Sequence, residues 1–258
     1  MVGGASGDLP RSQRRARRIG RRPPGFLPDL PGVREEFREY LASSRRADDV
    51  VAAVLDALDA SGQAGRTLVL FLSDNGMAFP FAKANCYLRS TLTPPSSAGP
   101  EWSSQARSCR TFVSMLDLFP TVCDVLGIHP GDVDGQSLMP LLTGSGSAGA
   151  HRDKVFSVFH ETAMKSRFEM RCVQDARWGY IWNAWSDGKT TYRAENMMGL
   201  SWAAMTAAAK ADPHALRNLA ESREHAGERD AARHALSEWM STVGDPLGDR
   251  FTTEVVNR

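Results

Sequence analysis

The sequence is organised around Leu68-Val69-Leu70-Phe71-Leu72, five apolar residues in succession that end abruptly in Ser73-Asp74-Asn75-Gly76. A short unbroken apolar run, preceded by a helical pattern and closed by a turn sequence, predicts a strand buried on both faces of a mostly parallel sheet. In open α/β sheets, ligands gather beyond the carboxyl ends of the strands, so a carboxylate and an amide delivered there face a site rather than a core. Asp74 and Asn75 are hard oxygen donors, Gly76 permits a sharp exit, and Lys83 adds a positive charge on a long stem one short loop later. That set suits a divalent cation of the Ca2+ or Mg2+ kind together with an oxyanion. Asp-Asn-Gly is also common turn chemistry, and a plain strand exit with no ligand is the competing reading.

Context separates the two readings. The string SDNGMAFPFAKANCY, residues 73–87, resembles the second metal-binding motif of the sulfatases, members of the alkaline-phosphatase-like superfamily, and looks most similar to the heparan N-sulfatase (sulfamidase) branch. The resemblance implies that Asp74 and Asn75 bind Ca2+ and that Lys83 contacts the sulfate. It also implies an α/β fold: an alkaline-phosphatase-like, mostly parallel sheet flanked by helices, then a small antiparallel-sheet subdomain with a terminal helix. The partner it implies is a sulfated small molecule or sulfated sugar.

Composition adds bounds. The 258 residues, 42% of them hydrophobic and 24% charged, are ample for a core of ordinary globular make-up. A net charge of +1 gives no global reason to expect nucleic acid or membrane as a partner. The four cysteines, Cys86, Cys109, Cys123 and Cys172, show neither zinc-type nor redox-type spacing and leave the compartment open. No apolar stretch near the start reads as a signal peptide, an uninformative absence if the true start lies upstream.

Three regions are expected. Residues 1–22 form an arm with seven arginines between Arg11 and Arg22 and almost no apolar residue among them, a composition too polar to order itself. Such an arm can contact polyanions through charge alone, but no aromatic residues interleave the arginines as nucleic-acid stacking would need. Residues 23–145 make the carboxyl-terminal part of the α/β domain. They open on Pro23-Pro24-Gly25-Phe26-Leu27-Pro28-Asp29, an extended segment similar to the family's PPFLPD loop. Val33 to Ala60 then reads as one or two amphipathic helices, with stripes at Val33, Phe37, Tyr40 and Leu41 and at Val50, Val51, Val54, Leu55 and Leu58. Farther on, Asp117 is expected to cap a helix that carries Pro120 in its first turn and ends at Gly127.

A flexible linker over Gly144 to Ala150 leads to the third region, 151–258. Lys154 to His160 alternates as a strand, and Met170–Val173 with Trp178–Asn183 reads as an antiparallel pair about Asp175-Ala176. Ala203 to Lys210 is a short helix, Asp212 to Ala220 resembles the family's DPxExxNL motif, and the last helix runs from Glu221 to Val243 through Leu236, Trp239 and Met240. Glu161, in the pair His160-Glu161, lies by resemblance near the substrate pocket and would touch a sugar; a strand-end pair facing solvent is the alternative.

Two interruptions break the resemblance. Residues 95–109 are polar and without period where family members carry a buried strand. Read one base out of register, with codon third positions chosen freely, they yield VIRWPGVVKPGSVV, the family's wording. A compensated pair of frameshifts is the expectation, a native loop the alternative. A second gap, at Ala209-Lys210-Ala211, omits a further strand that relatives carry before Asp212.

The family's nucleophile is a Cys or Ser in a C/S-x-P-x-R motif, converted to formylglycine. None of the four cysteines here is followed by that pattern, and no serine is either. The sequence therefore assigns no catalytic residue to this chain, and the chain by itself is expected to be inactive. The leading reading is the carboxyl-terminal part of a sulfatase-family hydrolase that cleaves sulfate esters or N-sulfate groups with Ca2+. A decayed, catalytically dead fragment, a related phosphonate or phosphate ester hydrolase, and a polyanion-binding protein using the arm are the alternatives.

Overall fold

The computed structural model describes residues 22–93, 96–98, 111–145, 151–208 and 221–257. The arginine-rich arm apart from Arg22, the linker residues 146–150 and the DPxExxNL-like segment lie outside the described residues.

The chain enters through the proline-fixed segment 23–30, whose Phe26 and Leu27 are buried. It then forms a single helix, α1 (Pro31–Ala60), with Pro31 in its first turn, where a missing N–H leaves no hydrogen bond unmade. The first expected stripe is buried: Val33 and Phe37 pack with Phe26, Leu27, Phe79, Ala82 and Met205. The second is not. Val50 is 63% and Val54 60% exposed, so the outer half of α1 projects an apolar stripe that no described element covers.

The apolar run becomes strand β1 (Val69–Phe71), shorter than its pattern suggested. Its sheet partner is β2 (Ser96–Ala98), joined antiparallel with Leu70 opposite Ser97. The expectation of a strand buried on both faces is corrected here: Phe71 is 51% exposed, and among the described strands every pairing is antiparallel. The apolar character is present, but Val69 and Leu70 are only half-buried and Phe71 is exposed. Of the stretch read as out of register, Ser96–Ala98 pairs as β2 and the remainder lies outside the described residues.

Beyond the loop after β1 come a short helix, α2 (Leu88–Thr91), then α3 (Leu118–Val125) and α4 (Met139–Thr143). Asp117 does not cap α3 through its own side chain. It is instead the third helical residue of a capping box begun by Ser114, accepting the Ser114 N–H at 2.8 Å while Ser114 Oγ accepts from Leu116. The same buried carboxylate accepts the Gln136 N–H at 2.8 Å and pairs with Arg152 and, at 3.2 Å, with His151. Asp117 thus ties α3 to the start of the following sheet.

That sheet is antiparallel in the order β3 (Lys154–Glu161), β4 (Arg167–Asp175), β5 (Gly179–Asn183). The turn between β4 and β5 is set by Asp175, whose Oδ1 accepts the N–H groups of Arg177 and Trp178, both at 2.7 Å. The central strand is covered on both sides. Phe168, Met170 and Cys172 face one cluster with Cys86, whereas Val173 faces another with Trp182, Leu236, Met240 and Phe251. The helices that follow are α5 (Leu200–Ala207), α6 (Ala226–Thr242) and α7 (Gly248–Phe251). Helix α6 lays Leu236 and Met240 on the sheet, and Trp239 stacks on Phe156 at 5.0 Å. Arg171, buried in β4, is paired with Asp245 beyond α6 at 2.6 Å.

Helix α5 is the bridge back to α1. Glu36 of α1 accepts the Ser201 N–H at 2.6 Å, placing a carboxylate on the helix's first turn, where exposed N–H groups favour negative charge. Gly199 makes room for it: a Cβ there would lie 2.1 Å from the Glu36 carboxylate.

Candidate metal and oxyanion site

The site is built on the loop between β1 and α2. Asp74 is exposed; its Oδ1 accepts the Asn75 N–H at 2.9 Å, while Ser73 Oγ donates to the Asn75 carbonyl at 2.7 Å. Gly76 then passes through a space that no side chain fits. A Cβ there would stand 2.0 Å from the Arg89 carbonyl oxygen and 2.5 Å from that of Ala82, and the Gly76 N–H donates to Ser90 at 2.8 Å. The glycine expected for a sharp exit is therefore needed for close backbone approach.

After Gly76 the loop is buried rather than surface-lying. Phe79 sits edge-on to Phe37 and Tyr40, with centroids 6.2 and 5.8 Å apart, and Ala82 is fully buried beside it. Lys83 follows between two non-glycine residues with positive φ, Phe81 at 66° and Ala84 at 60°. A left-handed residue with a Cβ costs about 1–2 kcal/mol, so the surroundings must hold both in place. They do so through the backbone. Asn85 Nδ2 donates to the Lys83 carbonyl at 2.7 Å and Asn196 Nδ2 donates to the same oxygen at 2.8 Å and to the Phe79 carbonyl at 3.1 Å. The Tyr192 hydroxyl donates to the Ala84 carbonyl. The main chain at Lys83 is clamped, while its ammonium has no ion-pair partner among the described residues.

Asp74, Asn75 and Lys83 are thus gathered on one loop. Glu161 is not joined to them by any contact among the described residues. It ends β3 beyond a register shift after Phe159, and pairs with Lys165 at 2.8 Å. The hydrogen bond from Lys165 holds its carboxyl below the usual range. Its hairpin touches the clamp indirectly, through the Ala163 N–H on Glu195 Oε2 at 3.4 Å, one residue from Asn196.

As a metal centre the loop offers a partial donor set. Asp74 and Asn75 bring hard oxygens of the kind Ca2+ takes, against the six to eight such ligands it collects. Among the described residues no group of three or more His, Cys, Asp or Glu side chains converges. The two residues fit a Ca2+ ion as part of its shell. The buried thiols Cys86 and Cys172 are poor candidates for a nucleophile: burial, and for Cys86 the neighbouring Cys172, push each up to about 12.

Sequence reasoning missed the clamp. Asn196 and Tyr192 lie more than a hundred residues from the carbonyls they hold, and nothing in Ala194-Glu195-Asn196-Met197 marks an asparagine that reaches back. Asn85 was legible only as part of the motif string.

Residues 6–128 match the family model described as Sulfatase. The chain is 31% identical over 205 residues to arylsulfatase K of Xenopus laevis, covering 74% of this chain and 35% of that protein. It is 32% identical over 130 residues to N-sulphoglucosamine sulphohydrolase of Homo sapiens, covering 46% and 26%. The matched part of the chain therefore spans between about a quarter and about a third of the length of these curated relatives. Its fold is that of a solved 2-O GAG sulfatase, at a TM-score of 0.65 and 23% identity, over 82% of this chain and 44% of the other. A protein solved with its substrate D-glucosamine-2-N,6-O-disulfate aligns at a TM-score of 0.60 and 22% identity, over 82% and 42%. Phosphonate monoester hydrolase of Agrobacterium radiobacter aligns at 0.60 and 23%, over 79% and 40%. The α/β, alkaline-phosphatase-like assignment rests on these likenesses.

Proposed function

This chain belongs to the sulfatase family, of whose members it spans a part, and on that premise we propose that its loop 73–87 is the cation and sulfate half of a hydrolase site acting on sulfated sugars. The observation that carries the reading is the clamp at Lys83: a main chain held by Asn85, Asn196 and Tyr192 presents an ammonium with no ion-pair partner among the described residues, nine residues after Asp74. A fixed main chain limits where the flexible Lys83 stem can carry its charge, and a charge held near an anion stabilises negative charge that develops there.

In this reading Asp74 and Asn75 hold Ca2+, which when bound supplies Lewis-acid polarisation of the sulfuryl oxygens. Lys83 binds a sulfate oxygen and offsets negative charge that develops on the departing group. Glu161, paired with Lys165 in the resting chain, contacts the sugar once that exposed pair opens. The nucleophile, by family resemblance a formylglycine, is supplied from outside this sequence, and the chain alone turns over neither sulfate esters nor sulfamates. The likeness to a protein whose substrate is a sulfated glucosamine supports the sugar.

The fold shared with a phosphonate monoester hydrolase favours a second reading, in which the same loop serves a phosphonate or phosphate ester, another tetrahedral anion. Two assays decide. N-sulfoglucosamine and methyl phenylphosphonate are titrated into the chain with Ca2+, and both are offered as substrates beside 4-nitrophenyl sulfate. The expected result is binding of N-sulfoglucosamine, weakened about tenfold or more in Lys83→Ala, since hydrogen bonds to charged groups contribute about 1.5–3 kcal/mol, with no turnover. Preferential, Lys83-dependent binding of the phosphonate supports the second reading, and turnover by this chain overturns the assignment of the nucleophile to another segment.

A further inference from the structure

The entry segment of the chain and the stretch that runs from the site loop into α2 share a cavity of about 550 Å³. Pro24 and Phe26 line it together with Phe81, Tyr87, Leu88 and Arg89, whereas Asp74, Asn75 and Lys83 do not. Of the residues lining it, Arg89 alone carries a charge. Its guanidinium stands 5.8 Å from the centroid of the Phe26 ring, a cation–π contact, and makes no ion pair or hydrogen bond among the described residues. A ring face attracts the charge but occupies none of the five N–H donors, which are left for water or a ligand. Arg89 is exposed, so a ligand can reach it. The walls are held by the fold itself. Phe26 is buried in the core with Phe79 and Ala82, and the Leu27 N–H closes a turn on the Pro24 carbonyl at 2.9 Å. The Phe81 and Tyr87 rings lie 6.4 Å apart, and the Ser90 N–H donates to the Tyr87 carbonyl at 2.8 Å.

We propose that this cavity binds a small aromatic carboxylate, with its two oxygens on the Arg89 guanidinium and its ring among Phe26, Phe81 and Tyr87. The planar fork of a guanidinium matches the two oxygens of a carboxylate, and such charge-assisted pairs are about twice as strong as neutral hydrogen bonds. Charge alone does not select a ring; the lining does. Three of the side chains that line the cavity are aromatic, and ring pairs in offset or edge-on contact add to the area they bury. A bare inorganic anion would answer the guanidinium and leave those apolar walls facing water. The volume falls within the range of about 300–1,000 Å³ typical of small-molecule sites, and an apolar concavity with one well-placed charged group is their usual make-up. Because the walls are tied to the core and to α2, little ordering is left to cost affinity. The inference is independent of the function proposed above: none of these residues holds the cation or the sulfate in that reading.

The test is a titration of the isotopically labelled full chain with benzoate, with benzamide, which has the same ring without the charge, and with acetate, which has the charge without the ring. The resonances followed are the Arg89 side-chain N–H and the backbone amides of Phe26 and Leu88. The expected result is a saturable benzoate shift at all three, with benzamide and acetate each binding about tenfold or more weakly. Arg89→Met keeps an unbranched stem against Phe26 but removes the charge; it should bind benzoate about tenfold more weakly and benzamide as the unaltered chain does. No saturable shift, shifts at Lys83 with Arg89 unmoved, or benzoate affinity unchanged in Arg89→Met overturns the site. Acetate binding as tightly as benzoate overturns the aromatic class, and benzamide binding as tightly overturns the part given to Arg89. Should Arg89→Met fold poorly, the three ligands on the unaltered chain decide.

Discussion

Residues 22–145 and residues 151–257 follow the same sequence logic, apolar strands and amphipathic helices, yet finish differently. In the second region β4 is covered on both faces, Arg171 is buried against Asp245, and α6 closes the sheet. In the first, the core that α1 and the site loop form with α5 of the second region is closed, but around it stand bare apolar side chains: Val50 and Val54 on α1, Phe71 on β1, Phe119 (58% exposed) on α3 and Leu126 (63%) at its end. Apolar patterning creates a demand for burial; only a facing surface satisfies it. Exposed apolar side chains are ordinary taken singly, and only where they gather into a patch do they mark a contact surface.

The largest expected effect probes the closed region. Asp245→Ala leaves Arg171 buried without its partner and should destabilise the chain by about 3–5 kcal/mol, read as a lower denaturation midpoint. Asp117→Ala should approach the same size through Arg152 and the orphaned N–H groups of Ser114 and Gln136. Because Asp117 joins the two regions, its loss should lower the midpoints of both; if only the first responds, the tie between them is weaker than drawn here.

How much of this contrast the sequence disclosed varies with the element. The β4–β5 hairpin was legible because its strands alternate about a turn fixed locally by Asp175. The position of Asp74 and Asn75 at the end of a strand was legible for the same reason, an apolar run broken by turn residues. The burial of that strand was not, since periodicity reports which face is apolar and never what lies opposite. Helix α6 was legible through Leu236 and Met240, although it starts at Ala226 and not at Glu221, but α7 was missed: Gly248–Phe251 is too short to show a period. The clamp on Lys83 was illegible because it is a contact of side chain with main chain across the fold, and one asparagine looks like any other in sequence.

Gly76→Ala sharpens the comparison at intermediate size. A methyl 2.0 Å from the Arg89 carbonyl forces the loop to move, at about 1–3 kcal/mol for overpacking, and should abolish the response of Asn75 to Ca2+ while leaving the near-ultraviolet signal of the β3–β5 region unchanged.

Acid should act through the same two carboxylates. Burial alone would raise Asp117 and Asp245, but Arg152 with the N–H groups of Ser114 and Gln136, and Arg171 with that of Leu247, outweigh it and hold both below the usual 3.8. The unfolded chain then binds these protons more readily than the folded one. Their stabilisation is complete well above pH 3.8 and is lost as the pH falls through that value and on through the lower folded-state values. Midpoints measured across that window should fall, and Asp245→Ala should flatten the slope. The smallest effect belongs to the bare surface: Val54→Ser and Phe119→Ser should change stability by no more than about 0.5 kcal/mol and reduce binding of a hydrophobic dye. A loss of several kcal/mol there would mean that those residues are covered after all.

The most direct test of the site is a Ca2+ titration of the isotopically labelled chain followed at backbone amides, then a sulfate titration at the highest Ca2+ reached. Shifts centred on Asp74, Asn75 and Gly76 with Ca2+, absent in Asp74→Ala, and extending to Lys83 with sulfate are the predicted result. Shifts that arise at other carboxylates while residues 74–76 stay unmoved would contradict it.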